Sequence, residues 1–113
     1  MTEPTPKGFS IKSWAEDDRP REKLLAKGRA ALSDAELIAI LIGSGTPKMS
    51  AVELSKEILN AVENNLNELA KCSVQELMVH KGIGEAKAIS IITALELGRR
   101  RREADILDRK KID

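Results

Sequence analysis

A Gly-x-Gly turn between two predicted helices is the part of this sequence best suited to hold a ligand. Gly82, Ile83 and Gly84 form the turn, and Lys81 and Lys87 flank it. Glycine allows a positive φ and has no Cβ to obstruct a large ligand. The first amides of a helix are unpaired donors that attract anions. We therefore expect this turn to hold a phosphate group, with the apolar middle residue directed into the core.

The same turn also has a purely structural interpretation. A glycine pair between helices often serves only as a helix cap and a tight turn. Glu85, at the first position of the following helix, would repel a phosphate. The capped helix before the turn and the small residues Ala86 and Ala88 after it favour a binding role. The local sequence leaves both interpretations open.

A second stretch upstream is similar to this turn. Gly43, Ser44 and Gly45 follow one predicted helix and precede another, with residues 46–49 inserted before the second helix. Ser44 stands where the downstream turn has an apolar residue. The pattern predicts a degenerate second hairpin that includes Gly43, Ser44, Gly45 and Lys48, unless the similarity of two capped helix pairs is accidental.

Helix start and stop signals predict an all-α fold, a compact bundle of five or six short helices. Ser-x-x-Glu, the reciprocal capping box, begins three of them, and glycines end others. For the first helix we expect Asp18 as N-cap and Pro20 in the first turn, where its missing N–H costs little. The expected spans are about 19–27, 34–43, 51–63, 67–71, 74–81 and 85–102.

The apolar pattern predicts an aliphatic core. Hydrophobic residues make up 42% of the chain and aromatic residues only 2%, which favours packed helices over a sandwich or barrel. In the last helix, Ala88, Ile91, Ile92 and Leu95 recur at helical spacing and form the expected core face. The residues expected to share one core are Ile38, Leu41, Leu54, Ile58, Leu77, Ile89, Ile92 and Leu95.

The reactive side chains predict no catalytic residue, no metal site and no bound cofactor. His80 and Cys72 are the only residues of their types, so no Ser/His/Asp set, Cys/His set or zinc site can be assembled. The carboxylate pair Asp17 and Asp18 is better explained by helix capping and solvation. The arginine run 99–102 is interpreted as the basic end of a helix, with a phosphate contact as the alternative.

Charge and hydropathy limit the classes of partner. The net charge of +1 gives no overall attraction to nucleic acid or membrane, so any anion site must be local. The longest apolar run, 37–42, is far too short to span a bilayer. We expect a cytoplasmic protein with no membrane contact.

The segment 76–88 closely resembles the helix-hairpin-helix motif. That resemblance implies sequence-independent contacts between hairpin amides and consecutive phosphates of DNA. It also implies that hairpin carbonyls sometimes hold a monovalent cation, which here would lie at residues 80–84.

Across residues 8–102 the order of motifs resembles the N-terminal region of the bacterial RadC-like proteins. The resemblance implies a connection with DNA repair and a C-terminal domain of the JAB/MPN metalloprotease type, whose His-x-His and Asp zinc ligands are not in this sequence. We therefore expect a flexible N-terminus at 1–7, a helical domain at 8–102, and at 103–113 a linker to that C-terminal domain. The segments that carry the resemblance lie at 11–14, 19–24, 31–37, 50–54 and 76–100.

Two functions follow as hypotheses. The first is a non-catalytic module that binds the DNA backbone through Lys81, Gly82, Ile83, Gly84 and Lys87. The second is a protein-interaction or dimerisation domain that docks on the C-terminal domain, with the hairpin as a structural turn. An enzyme is the least favoured class, because one histidine and one cysteine supply no catalytic set.

Overall fold

The computed structural model describes residues 11–111, and describes side chains for 17–110. Within this range the chain is all-helical and has no strand, which confirms the predicted fold class. The prediction for residues 1–7 lies outside the described residues. The helices are α1 Ile11–Lys27, α2 Asp34–Ile42, α3 Ala51–Ala61, α4 Leu66–Ala70, α5 Val74–Leu77 and α6 Glu85–Lys111, with a short 3-10 turn at Arg29–Ala31.

The three predicted capping boxes all form, at the starts of α2, α3 and α5. At α3, for example, Ser50 Oγ accepts from the Glu53 amide at 3.2 Å, and the Glu53 carboxylate accepts from the Ser50 amide at 3.1 Å. Each box satisfies two amides that the helix itself leaves unpaired. The boxes therefore fix where these helices begin, as the sequence predicts.

The predicted start of the first helix is wrong. α1 begins at Ile11, so Asp18 is not its N-cap and Pro20 lies in the helix interior. Proline has no N–H to donate to the preceding turn. The Pro20 ring, however, is fully buried against the domain. Burial of this apolar ring offsets the missing hydrogen bond.

The predicted end of the last helix is also wrong. α6 continues past Arg102 to Lys111, and its residues 103–110 are exposed. Ion pairs one turn apart, Arg99 with Glu103 and Arg109 with Asp105, support this part of the helix in place of apolar packing. The role of 103–113 as a linker stays a prediction.

The core lies between α2, α3, α5 and the first half of α6. Of the expected core residues, Ile38, Leu54, Ile58 and Leu77 are buried, and Ile92 and Leu95 pack partly against them. Leu41 and Ile89 are exposed, which corrects the prediction for these two. Ala88 and Ile91, which the helical spacing placed on the core face of α6, are fully buried, as predicted. No helix of the described residues is long and apolar enough to cross a membrane.

Candidate nucleic-acid interface

The turn at 81–84, here called the downstream turn, carries the chain from α5 into α6. The Ile83 amide donates to the His80 carbonyl at 3.0 Å. The Ile83 side chain is buried in the core, as predicted. Gly84 precedes the first residue of α6, and its carbonyl accepts from the Ala88 amide at 3.0 Å. Gly84 therefore occupies the N-cap position of α6 and brings no side chain to it.

The two glycines of the downstream turn have different structural roles. Gly82 has a φ of 97°, and a Cβ there would collide with the Thr46 side chain. Gly84 is not among the glycines with a positive φ, and a Cβ there would meet nothing within 4 Å. Only Gly82 therefore uses the positive φ that glycine allows, whereas Gly84 leaves the space of a Cβ empty. The space above Gly82 is filled by the protein, whereas the approach to Gly84 is open.

The first amides of α6 face this open approach without partners. In the part of the chain that the structure describes, the amides of Gly84, Glu85, Ala86 and Lys87 donate no hydrogen bond. The N-terminal end of a helix of 27 residues also carries the positive end of its dipole. These amides can donate hydrogen bonds to an anion without breaking an existing one.

At the corresponding position upstream, the protein supplies its own anion. We call residues 43–49 the upstream loop; it leads into α3 as the downstream turn leads into α6. The Asp17 carboxylate accepts from the Ala51 amide at 2.5 Å and from the Gly45 amide at 3.3 Å. Ala51 is the first residue of α3, as Glu85 is of α6. A carboxylate thus binds the Ala51 amide, the upstream counterpart of the unpaired Glu85 amide.

The upstream loop is also closed around Gly45. A Cβ at Gly45 would collide with the backbone of Met49 and Ala51. The glycine is therefore required for close packing of this loop on itself. Gly43 has a φ of 80° and ends α2. Both upstream glycines thus have structural roles within the loop.

The fold brings the two turns into contact. Lys87 Nζ donates to the Ser44 carbonyl at 2.7 Å and to Ser44 Oγ at 3.3 Å. Lys87 is therefore engaged with the upstream loop. Lys81 and Lys48 are exposed, and neither has an ion-pair partner among the described residues. Of the three lysines singled out from the sequence, Lys81 is the one next to the open amides with a free ammonium group.

His80 and the first two residues of the arginine run, Arg99 and Arg100, contact carboxylates. His80 Nδ1 lies 3.3 Å from Glu57 Oε2. Arg99 and Arg100 both donate to Glu96 at 2.9 Å, and these hydrogen bonds lower the pKa of Glu96 to about 2. Because α6 continues past Arg102 to Lys111, the interpretation of the run as the basic end of a helix is wrong; the run lies inside the helix, where Glu96 pairs with Arg99 and Arg100.

The monovalent cation that the resemblance implies at residues 80–84 stays a prediction. The carbonyls of His80 and Gly84 already accept backbone hydrogen bonds from Ile83 and Ala88. Among the described residues, no three His, Cys, Asp or Glu side chains are grouped to hold a metal ion.

Burial raises the pKa of the Cys72 thiol, which disfavours the reactive thiolate. The open amides are donors, so the chemistry offered here is anion binding.

Sequence reasoning missed the two side chains that organise this region. Asp17 was assigned to capping and solvation, and it does cap a helix, but one that begins 34 residues later. Thr46 was treated only as part of an insertion, yet it packs on Gly82. Neither contact follows from a local pattern, because both join segments distant in sequence.

Comparisons with known proteins identify the family. Residues 11–89 match the model of the UPF0758 N-terminal family. A UPF0758 protein of Flavobacterium johnsoniae is 65% identical over 104 residues, which are 92% of this chain and 45% of the relative. A UPF0758 protein of Porphyromonas gingivalis is 50% identical over 93 residues, 81% of this chain and 41% of the relative.

The similarity extends to relatives of lower identity. A UPF0758 protein of Neisseria gonorrhoeae is 46% identical over 98 residues, 87% of this chain and 43% of the relative. The chain spans less than half the length of these relatives. No solved structure matches it. The match over most of the helical region and the level of identity show that this chain belongs to the UPF0758 N-terminal family.

Proposed function

We propose that the downstream turn and the first turn of α6 bind phosphates of the DNA backbone, and that this domain acts as a non-catalytic binding module. One observation carries the proposal. Asp17 accepts from the Gly45 amide of the upstream loop and from the Ala51 amide at the start of α3. The amides of Gly84 and Glu85 make no hydrogen bond, and the approach to Gly84 is open. The chain fills one of two related anion positions itself and leaves the other for a ligand.

The chemistry of the open position suits a phosphate diester. Its oxygens would accept from the α6 amides, and the helix dipole would favour their negative charge. The exposed Lys81 adds a cation beside the turn, and Glu85 partly opposes it. Such contacts reach only the backbone, which has the same charge at every base pair. Binding is therefore expected to be independent of sequence.

The contacts of Lys87 change the role expected for it. Because its ammonium group binds Ser44, we propose that Lys87 holds the upstream loop against the downstream turn. Lys48 on that loop is exposed and would add a second positive charge to the footprint. The backbone-binding set is therefore proposed to centre on Lys81 and Gly84, with Gly82, Ile83 and Lys87 maintaining the geometry.

The resemblance to helix-hairpin-helix and RadC-like proteins supports a role in bacterial DNA repair inside the cytoplasm. In a longer protein, the module would bring DNA to the remaining part of the chain, for which the resemblance implies a JAB/MPN domain. The alternative is that this domain docks on that part. The exposed leucines Leu37, Leu41 and Leu66 favour a protein contact in addition to the DNA site.

Fluorescence anisotropy tests the proposal directly. The 113-residue chain is titrated into short duplexes of two unrelated sequences, and into single-stranded DNA, at low and at physiological salt. We expect both duplexes to bind equally, with affinity falling as salt rises. Lys81→Glu should weaken binding to both and reduce the slope of log affinity against log salt by about one.

Lys56→Glu serves as the matched control. Lys56 is an exposed lysine on α3 that lies beside the start of α2, so Lys56→Glu changes the net charge equally at a different surface. It should weaken binding less than Lys81→Glu. Absence of measurable DNA binding at low salt, or equal loss in the two variants, would contradict the proposal.

A further inference from the structure

An apolar groove runs along the surface formed by α2, α4 and α6. Leu37, Leu41 and Leu66 line it with 41%, 40% and 39% of their surface exposed. Ala94 and Leu95 of α6 complete it. We call these five residues the leucine groove. Exposed leucines gathered in one depression, unlike single exposed leucines, indicate a contact surface.

The groove continues along α6 towards the C-terminus. Leu66, Ala94 and Leu95 also line the adjoining depression between α4 and α6, which extends to Gly98 and Arg102. Ala94, Gly98 and Arg102 are spaced four residues apart and so share one face of the helix. The two depressions form one continuous surface with Leu66 and Leu95 at its middle.

The two ends of this surface carry opposite unpaired charges. Asp34, at the start of α2, lines one end, and Arg102 lines the other. In the described part of the chain neither has an ion-pair partner. The other cations at the Arg102 end are paired, Lys71 with Glu68 and Arg99 with Glu96. A complementary partner would therefore have a cation opposite Asp34, an apolar middle, and an anion opposite Arg102.

We propose that a second copy of this chain occupies the leucine groove. A twofold axis near Leu66 and Leu95 would bring Asp34 of each copy to Arg102 of the other and would place the leucines face to face. In such an isologous contact, each surface is its own complement, which is the usual arrangement of homodimers. This surface is self-complementary in that sense, because it has an anion, Asp34, at one end and a cation, Arg102, at the other. The proposed dimer does not depend on the proposed DNA binding.

Sedimentation equilibrium of the complete chain from micromolar to millimolar concentration tests the dimer. The mass should rise from the 12.4 kDa of one chain to that of two. Asp34→Arg and Arg102→Asp should each weaken the dimer about tenfold, because symmetry removes two ion pairs and adds two repulsions. The double variant Asp34→Arg/Arg102→Asp should recover most of the wild-type affinity. Arg101→Asp, next to the groove but not lining it, should have a smaller effect than Arg102→Asp.

A second variant addresses the apolar part. Leu66→Glu should abolish the dimer over the accessible concentration range, since the contact would bury an unpaired charge. Circular dichroism checks that Leu66→Glu still folds. If it does not fold, the Asp34 and Arg102 variants test the dimer without it. A wild-type chain that stays monomeric at millimolar concentration would overturn the proposal. A dimer whose affinity is unchanged in both single charge variants would also overturn it. The same holds if both single variants weaken the dimer and the double variant does not restore it.

Discussion

Asp17 and Ala51 lie 34 residues apart and are joined by a hydrogen bond of 2.5 Å from the Ala51 amide to the Asp17 carboxylate. The other oxygen of the same carboxylate accepts from the Gly45 amide. This side chain ties α1 to the upstream loop and to the start of α3. The N-terminal end of α6, which follows a similar glycine turn, has no such carboxylate among the described residues. Because of this difference, we propose that the downstream turn binds DNA through its amides and that the upstream loop does not.

Removal of the Asp17 carboxylate should destabilise the fold. Asp17→Ala leaves two partly buried amides without their acceptor, so we expect the free energy of unfolding to fall by about 1–3 kcal/mol. Urea denaturation measures the change. Asp18→Ala is the control, since Asp18 is exposed and its pair with Arg21 is a distant 3.8 Å. It should stay within about 0.5 kcal/mol of wild type. Equal effects of the two variants would show that the Asp17 contact is not important for stability.

Glu36 should make stability depend on pH in the acid range. Hydrogen bonding from the Ser33 backbone, and next from Lys23, holds the pKa of Glu36 below the ordinary value for a glutamate. A depressed folded-state pKa means that the stabilisation is fully present above the unfolded pKa. It is lost as the pH falls through the lower folded value. We expect the melting temperature of the wild type to fall more steeply between neutral pH and about pH 3 than that of Glu36→Gln. Parallel curves would contradict this assignment.

Two isoleucines of α6 should differ in their effect on stability. Ile91 is fully buried, so Ile91→Ala should cost about 2–5 kcal/mol through lost burial and a cavity. Ile89 is about half exposed, and Ile89→Ala should cost less than about 1 kcal/mol. Chemical denaturation of the two variants gives the comparison. A larger cost for Ile89 would mean that α6 packs through a different face.

Local signals in the sequence predict the helix starts well because capping is a local interaction. Each Ser-x-x-Glu box involves residues three apart, and all three boxes form. Face assignment within α2 is harder, since 37–42 is apolar throughout and periodicity cannot show that Leu41 is exposed. The end of α6 depends on ion pairs instead of apolar spacing.

The candidate site was only partly predictable for a related reason. The downstream turn and the position of Ile83 follow from a short motif, and the structure confirms the burial of that side chain. The occupation of the upstream amides by Asp17 and of Lys87 by Ser44 depends on contacts over 28 to 43 residues. Such contacts arise only from packing of the whole domain, so one sequence gives no local sign of them.

The most direct test of the account places a carboxylate where α6 lacks one. Gly84 has an open Cβ position and lies at the N-cap, where aspartate is a favoured residue. In Gly84→Asp the new side chain should accept from the first amides of α6, as Asp17 does upstream. The free energy of unfolding should stay the same or rise by up to about 1 kcal/mol.

DNA binding by Gly84→Asp is the decisive measurement. If the amides bind backbone phosphate, a folded chain of equal or greater stability should lose at least about tenfold in affinity for both duplexes, a loss of about 1.4 kcal/mol in binding free energy. Gly84→Asn, which caps the helix without adding a charge, should lose less. Unchanged affinity of a stable Gly84→Asp variant would contradict the claim that the start of α6 binds DNA.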